Sequence, residues 1–258
     1  MCLILFAYKV HPSFRLIVAA NRDEFYERPS MPAGFWDDAP QVLAGRDLKE
    51  GGTWLGIARE GKFASVTNYR DPAALRTSAP SRGKLVGNYL TGAKSAAAYL
   101  EKIAKPAQEY NGFNLIVGDN SDLIVYSNRG EKQELTAGIY GLSNRFLNTP
   151  WSKVVRGKKF LAGAMKKKKG ADLEAELFRI LADRRTAPDD KLPSTGIGSD
   201  WEKVLSSIFI ESPGYGTRSS TILLIGRNRR VKFVEKVFDG RSKPWVESRF
   251  SFFLDRGK

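Results

Sequence analysis

The chain has 258 residues, 42% of them hydrophobic, and 42 Lys and Arg against 28 Asp and Glu give a net charge of +14. That is enough apolar material for a sizeable core in a single domain spanning residues 1–258. One cysteine and one histidine exclude an intrachain disulfide, a Cys/His zinc cluster and, unless His11 itself serves, a Ser-His-Asp triad.

Residues 3–10 are apolar and β-prone, but too short for a membrane span and without the basic stretch that opens a signal peptide. The expectation is a cytoplasmic protein with no transmembrane segment. A His11-Pro12-Ser13 turn leads to a second apolar run, residues 14–20, so the two form a hairpin. After Gly51-Gly52, residues 54–58 and 63–67 make another strand pair around Glu60-Gly61. Near-continuous apolar strands of this kind predict sheets buried on both faces. Ser81 and Ser95 are candidate caps for two helices, one through Leu85, Val86, Tyr89 and Leu90, the other through Tyr99, Leu100 and Ile103. Residues 114–118 and 122–126 form a hairpin about Asn120-Ser121, and residues 138–143 a further strand. Residues 151–165 and 172–182 carry apolar side chains at helical spacing. The lysines of residues 166–169 close the first of these helices, where they complement its carboxyl end. Residues 186–199 are a Pro/Gly-rich loop, and strands return at 220–225, 231–237 and 245–253. Strands, helices, strands, helices, strands is the order of a four-layer α+β sandwich, with two sheets face to face and helices outside.

Cys2, the one cysteine, follows the initiator methionine. A small second residue permits removal of Met1, and the mature chain would then open on a residue holding both a thiol and a free α-amine. An amine with a pKa of about 7.7–8.0 can serve as base to its own thiol. The bland reading of Cys2 is a small hydrophobe at the start of an edge strand. Hairpin symmetry about His11-Pro12 brings Cys2 opposite Arg22 or Asp23, in the run Asn21-Arg22-Asp23-Glu24. Such a run is otherwise an ordinary turn and helix cap. A carboxylate beside the terminal amine would hold it by a charge-assisted hydrogen bond. Proximity to the terminal ammonium and to arginine predicts a depressed Cys2 thiol pKa. Asn68 and Asn144 end apolar strands, where side-chain amides can donate to a developing oxyanion. Arg218, in Gly216-Thr217-Arg218-Ser219-Ser220-Thr221, is of the type that binds a carboxylate or phosphate. Late basic clusters such as Lys158-Lys159, Arg184-Arg185 and Arg227 to Arg230 come with no RNA-binding or zinc-finger pattern, so they are expected to be a solvated face without a specific nucleic-acid partner.

Met1-Cys2, Asn21-Arg22-Asp23-Glu24, Gly51-Gly52-Thr53-Trp54-Leu55-Gly56, Thr67-Asn68, Ser81-Arg82-Gly83, Asn111-Gly112-Phe113-Asn114, Gly141-Leu142-Ser143-Asn144 and Gly216 to Thr221 together resemble the NRDE family, the transport-and-Golgi-organisation family. That family is similar in turn to N-terminal-nucleophile hydrolases such as penicillin V acylases and bile salt hydrolases. The resemblance implies an αββα fold, Cys2 as nucleophile, Asp23 as the carboxylate that orients it, Asn68 as the oxyanion asparagine, and Asn144 and Arg218 as later members of the site. Asn21, Arg22, Glu24 and Trp54 are the accompanying candidates for substrate binding. Those hydrolases carry an arginine where this chain has Ala20, and Arg22 is the available replacement, expected on the opposite strand face.

The leading function is a cysteine amidohydrolase acting on a nonpeptide amide or related acyl compound, with no metal or organic cofactor. The alternative is a non-catalytic carrier of an anionic ligand, haem or acyl-CoA, on the same scaffold. The partner in either case is a small acyl or anionic molecule.

Overall fold

The computed structural model describes residues 2–167, 170–240 and 243–256. Six strands come first: β1 (Cys2–Tyr8), β2 (Phe14–Phe25), β3 (Ser30–Trp36), β4 (Ala39–Asp47), β5 (Leu55–Ala58) and β6 (Phe63–Asn68). Helices α1 (Gly83–Thr91) and α2 (Ala96–Ala104) follow, then β7 (Phe113–Gly118), β8 (Leu123–Ser127), β9 (Gln133–Glu134) and β10 (Gly138–Leu142). Helices α3 (Ser152–Lys167), α4 (Gly170–Leu181) and α5 (Ser199–Val204) precede β11 (Glu211–Ser212), β12 (Tyr215–Gly226), β13 (Arg230–Val237) and β14 (Val246–Phe253). Met1, Lys168 and Lys169 lie outside the described residues.

The chain divides into two compact units. The first comprises Met1–Glu27, Thr136–Ser143 and Leu147–Phe252. Its sheet runs β10-β1-β2-β12-β13-β14, with β11 paired to β12. Leu3, Leu5, Ala7, Ile17 and Ala19 point to one face and pack against Val154, Leu161 and Ala164 of α3 and Leu173, Leu177 and Ile180 of α4. Gly157 lets α3 approach: a Cβ there would stand 2.6 Å from Leu5 Cδ1.

The second unit comprises Arg28–Leu135, Asn144–Phe146 and Phe253–Lys258. Its sheet runs β3-β4-β5-β6-β7-β8-β9, with α1 and α2 packed on Val42, Ala44, Ala64, Val66, Leu115 and Val117. Each unit thus supplies one antiparallel sheet with two helices packed on it, the short α5 being additional in the first unit, and these are the components of the expected α+β fold. β7 and β12 are buried along their whole lengths, as their apolar runs require.

Ser95 caps α2, its hydroxyl accepting from Ala98 N–H at 3.4 Å. Ser81 does not cap α1: the helix starts from Arg82 without a side-chain cap bond, and the Ser81 carbonyl instead accepts from Lys84 N–H. The reason lies in Gly52, where a Cβ would come within 2.4 Å of the Gly83 carbonyl carbon. Two glycines let the backbone before β5 touch the first turn of α1, and Thr53 N–H donates to Gly83 O at 3.2 Å. This contact, not a capping hydroxyl, seats the helix. Gly52→Ala has no side-chain end to push aside and is expected to cost about 1–3 kcal/mol, read as a lower urea midpoint at unchanged slope. An unchanged midpoint would show that the approach is not needed.

Candidate active site

The β1–β2 ladder fixes the first pair of candidates. Cys2 is the Cα partner of Arg22, Leu3 of Asn21 and Ile4 of Ala20. Partners in an antiparallel ladder share a face, and faces alternate along each strand. Cys2, Ile4, Ala20 and Arg22 therefore point away from α3 and α4, while Leu3, Asn21 and Asp23 point toward them. The expectation that Arg22 lies on the opposite face from Ala20 is corrected here, since two residues apart is one full period of a strand. Arg22 stands directly beside Cys2, two residues nearer the strand end than Ala20.

The helix-side residues are tightly held. Asn21 Nδ2 donates to the carbonyls of Leu181 and Ile208, both at 2.9 Å, and its Oδ1 accepts from Ser220 Oγ at 2.7 Å. Its side chain is thus committed to the fold, which speaks against a substrate-binding role. Asp23 is buried, and its Oδ1 accepts from Thr217 Oγ1 at 2.8 Å. Thr217 Oγ1 also accepts from Ile210 N–H, so the hydroxyl that orients the carboxyl is itself oriented. Tyr215 OH donates to the Asp23 carbonyl at 3.1 Å. Burial pushes the Asp23 carboxyl above the usual carboxylate range, against the pull of Lys153, Thr217 and Arg22.

Cys2 is half-buried by area, yet its thiol lies deep enough among protein atoms that burial pushes it above the ordinary cysteine value. With Met1 still on the chain the direction is opposite to the depression expected of the mature protein: desolvation outweighs the nearby positive groups and the hydrogen bond offered by Asp23 N–H. A neutral thiol at rest needs a base at the moment of attack. Ser143 Oγ donates to the Cys2 carbonyl at 3.0 Å, tying the start of β1 to the end of β10.

A bulge in β12 sets the remaining geometry. Thr217 pairs with Asp23 and Ser219 with Arg22, so Arg218 is the extra residue between them. Its guanidinium donates to the carbonyls of Phe25, Tyr26 and Phe238 at 2.7–3.1 Å. Burial and nearby Arg22 lower its pKa, while Glu24 raises it. Arg218 is therefore close to Arg22, and the three bonds named here go to backbone. Glu24 is half-buried and its Oε1 accepts from Phe25 N–H.

In the second unit, Asn68 ends β6 and Asn144 is fully buried. Asn144 Nδ2 donates to Asn68 O at 2.9 Å, and its carbonyl accepts from Arg70 N–H at 2.7 Å. Those two candidates are brought together. Trp54 is half-buried, and its ring leaves Gly45 no room for a side chain. The residue that sequence reasoning missed is Lys153, buried on α3 and acting on Asp23. Its signal was a lysine placed on the apolar stripe of an amphipathic helix. Among the described residues, no helix is long and apolar enough to cross a membrane.

The family model described as Transport and Golgi organisation 2 matches residues 1–240. The chain is 40% identical over 276 residues to the human Transport and Golgi organization protein 2 homolog, covering 98% of this chain and 99% of that one. It is 31% identical to the Drosophila melanogaster Transport and Golgi organization protein 2, covering 93% of each. Among solved structures, it resembles a C2A mutant of the conjugated bile acid hydrolase from Clostridium perfringens, with a TM-score of 0.50, 8% identity, and coverage of 98% of this chain and 92% of that one. It also resembles a Caenorhabditis elegans N-acylethanolamine-hydrolyzing acid amidase ortholog, with a TM-score of 0.50, 10% identity, and coverage of 86% and 92%. These neighbours place the chain in the N-terminal-nucleophile hydrolase fold class.

Proposed function

Since this chain belongs to the Transport and Golgi organisation 2 family and has the fold class of N-terminal-nucleophile hydrolases, we propose that it is an N-terminal-cysteine amidohydrolase acting on a nonpeptide amide or related acyl compound. The observation that carries the reading is the start of β1: Cys2 stands opposite Arg22, with Asp23 N–H offered to its sulfur and the Asp23 carboxyl buried one residue further on. The two neighbours are named as hydrolases of a conjugated bile acid and of an N-acylethanolamine, and the substitution in the first is at a cysteine numbered 2.

The chemistry follows from these groups. With Met1 removed, the α-amine of Cys2 emerges from β1 at the level of Asp23, by continuation of the register. Asp23 holds that amine by a charge-assisted hydrogen bond. The amine takes the thiol proton as Sγ attacks the acyl carbonyl carbon, then gives it to the departing nitrogen as the C–N bond breaks. Water, deprotonated by the same amine, cleaves the acyl thioester and restores the thiol. A thiol that is neutral at rest makes this built-in base necessary. The lone free cysteine suits a reducing compartment.

Processing is the first requirement. Intact mass of protein from a host that trims initiator methionine is expected to lack Met1, and retention on every molecule would remove the base from the mechanism. The substrate class is then tested by turnover of acylated amino acids, lactones and acyl-CoA.

A second reading, a carrier of an anionic ligand such as haem or acyl-CoA, draws on a different place. A cavity of about 590 Å³ in the first unit is lined by Phe14 and Leu224 together with Arg227, Arg230 and Lys232. Haemin added to a carrier shifts its visible absorption, and Cys2→Ser leaves that shift intact.

A further inference from the structure

Helix α3 buries Lys153, Val154, Gly157, Leu161 and Ala164. Four of these are what a helix lying on β1 and β10 should bury. The other is a lysine with 1% of its surface exposed, among the largest fully buried side chains of the protein. An ammonium so placed is costly unless an opposite charge meets it. Asp23, also 1% exposed, is on the helix-facing side of β2 by the alternation already described. Burial is the main influence on the Asp23 carboxyl, and Lys153 is the strongest influence opposing it.

We propose that Lys153 is a positioning residue: the buried counter-charge on α3 that keeps Asp23 a carboxylate, so that Asp23 is able to hold the amine beside Cys2. This rests on reading Asp23 as the partner of that amine. The other groups acting on Asp23 do different work. Thr217 on β12 orients one carboxyl oxygen, and Tyr215 binds the Asp23 main chain. Arg22 points to the other face of β2, beside Cys2. The Cys2 thiol lies on β1 beside Asp23, and Tyr26 lies further along the chain. Of these groups, Lys153 is the one on the helix layer, and it carries a full positive charge.

The test uses the full chain with Lys153→Met, Asp23→Asn and the double variant. Difference infrared spectra at neutral pH report protonated buried carboxyls. Wild type is expected to show no such band from Asp23. Lys153→Met is expected to show one, and the double variant to lose it. Iodoacetamide alkylation of Cys2 across pH gives the second readout. Asp23→Asn should change the neutral-pH rate about tenfold, the size of a one-unit shift, and less than twofold when Lys153 is already Met, because Asp23 is neutral there.

A wild-type band that Asp23→Asn removes would overturn the proposal, as would an equal effect of Asp23→Asn in both backgrounds. Where Lys153→Met does not fold, a wild-type band that Asp23→Asn removes still overturns the proposal. Neither readout needs a substrate. An inactive screen with the coupling intact fails the hydrolase reading alone, and turnover without coupling fails this inference alone.

Discussion

Cys2→Ser is expected to lower turnover of an acyl amide by more than about 10³-fold, the scale on which removal of a nucleophile acts. The substitution conserves volume, so β1 keeps its register with Arg22 and the protein keeps its stability. What changes is the acidity of the attacking group. The thiol is already raised by burial, and a hydroxyl in its place is both less acidic and intrinsically less nucleophilic in a site shaped for sulfur. The acyl-enzyme seen by mass on wild type should be absent from the variant. Full turnover by Cys2→Ser would end the nucleophile assignment whatever the fold.

Asp23→Asn is expected to cost on the order of 10²-fold in kcat with KM little changed, as for loss of one oriented hydrogen bond in a catalytic site. The amide keeps the shape of the carboxyl and the bond with Thr217, but carries no charge to hold an ammonium. The pH profile gives the sign. Activity that needs the Asp23 carboxylate falls as pH drops through its folded pKa, and burial places that limb above the range of an ordinary aspartate. In Asp23→Asn the limb should vanish. The variant also leaves Lys153 without its counter-charge, so it is expected to fold but to lose about 3–5 kcal/mol. A profile with the same acidic limb as wild type would assign that limb to another group.

Much of the fold can be read in the sequence because it is written in local periodicity. Apolar runs gave the β1–β2 hairpin, and symmetry about His11-Pro12 gave the pairing of Cys2 with Arg22 as one of two registers. Helices α3 and α4 followed from their spacing of apolar residues. The polar end of β2 was harder to read. Residues 21–25 look like a turn, yet they continue the strand because Asn21 and Asp23 find partners on α4, the loop at Ile208 and β12. No local pattern announces partners some 160 to 200 residues away. β3 and β4 escape for a related reason. Pro32, Gly34, Pro40 and Gly45 break their alternation, and register shifts at Met31/Gly34 and Phe35/Trp36 absorb those breaks. Lys153 was hidden by its chemistry: a lysine on a helix is ordinarily a surface residue.

The bulge at Arg218 makes β12 unusual in its tolerance of length change. Losing one residue from a central strand ordinarily turns every later side chain to the wrong face. Here the count is already one too many, since Thr217 and Ser219 oppose the adjacent residues Asp23 and Arg22. Deleting Arg218 would leave both of those pairings, and the whole ladder from Ser219 to Ile225, in their present register. The loss would be the guanidinium that ties Phe25, Tyr26 and Phe238 together and the carbonyl that accepts from Phe238 N–H. Position 218 is thus the point in this sheet where a relative can be one residue shorter and still bring the Thr217 hydroxyl to Asp23 and pair Ser219 with Arg22.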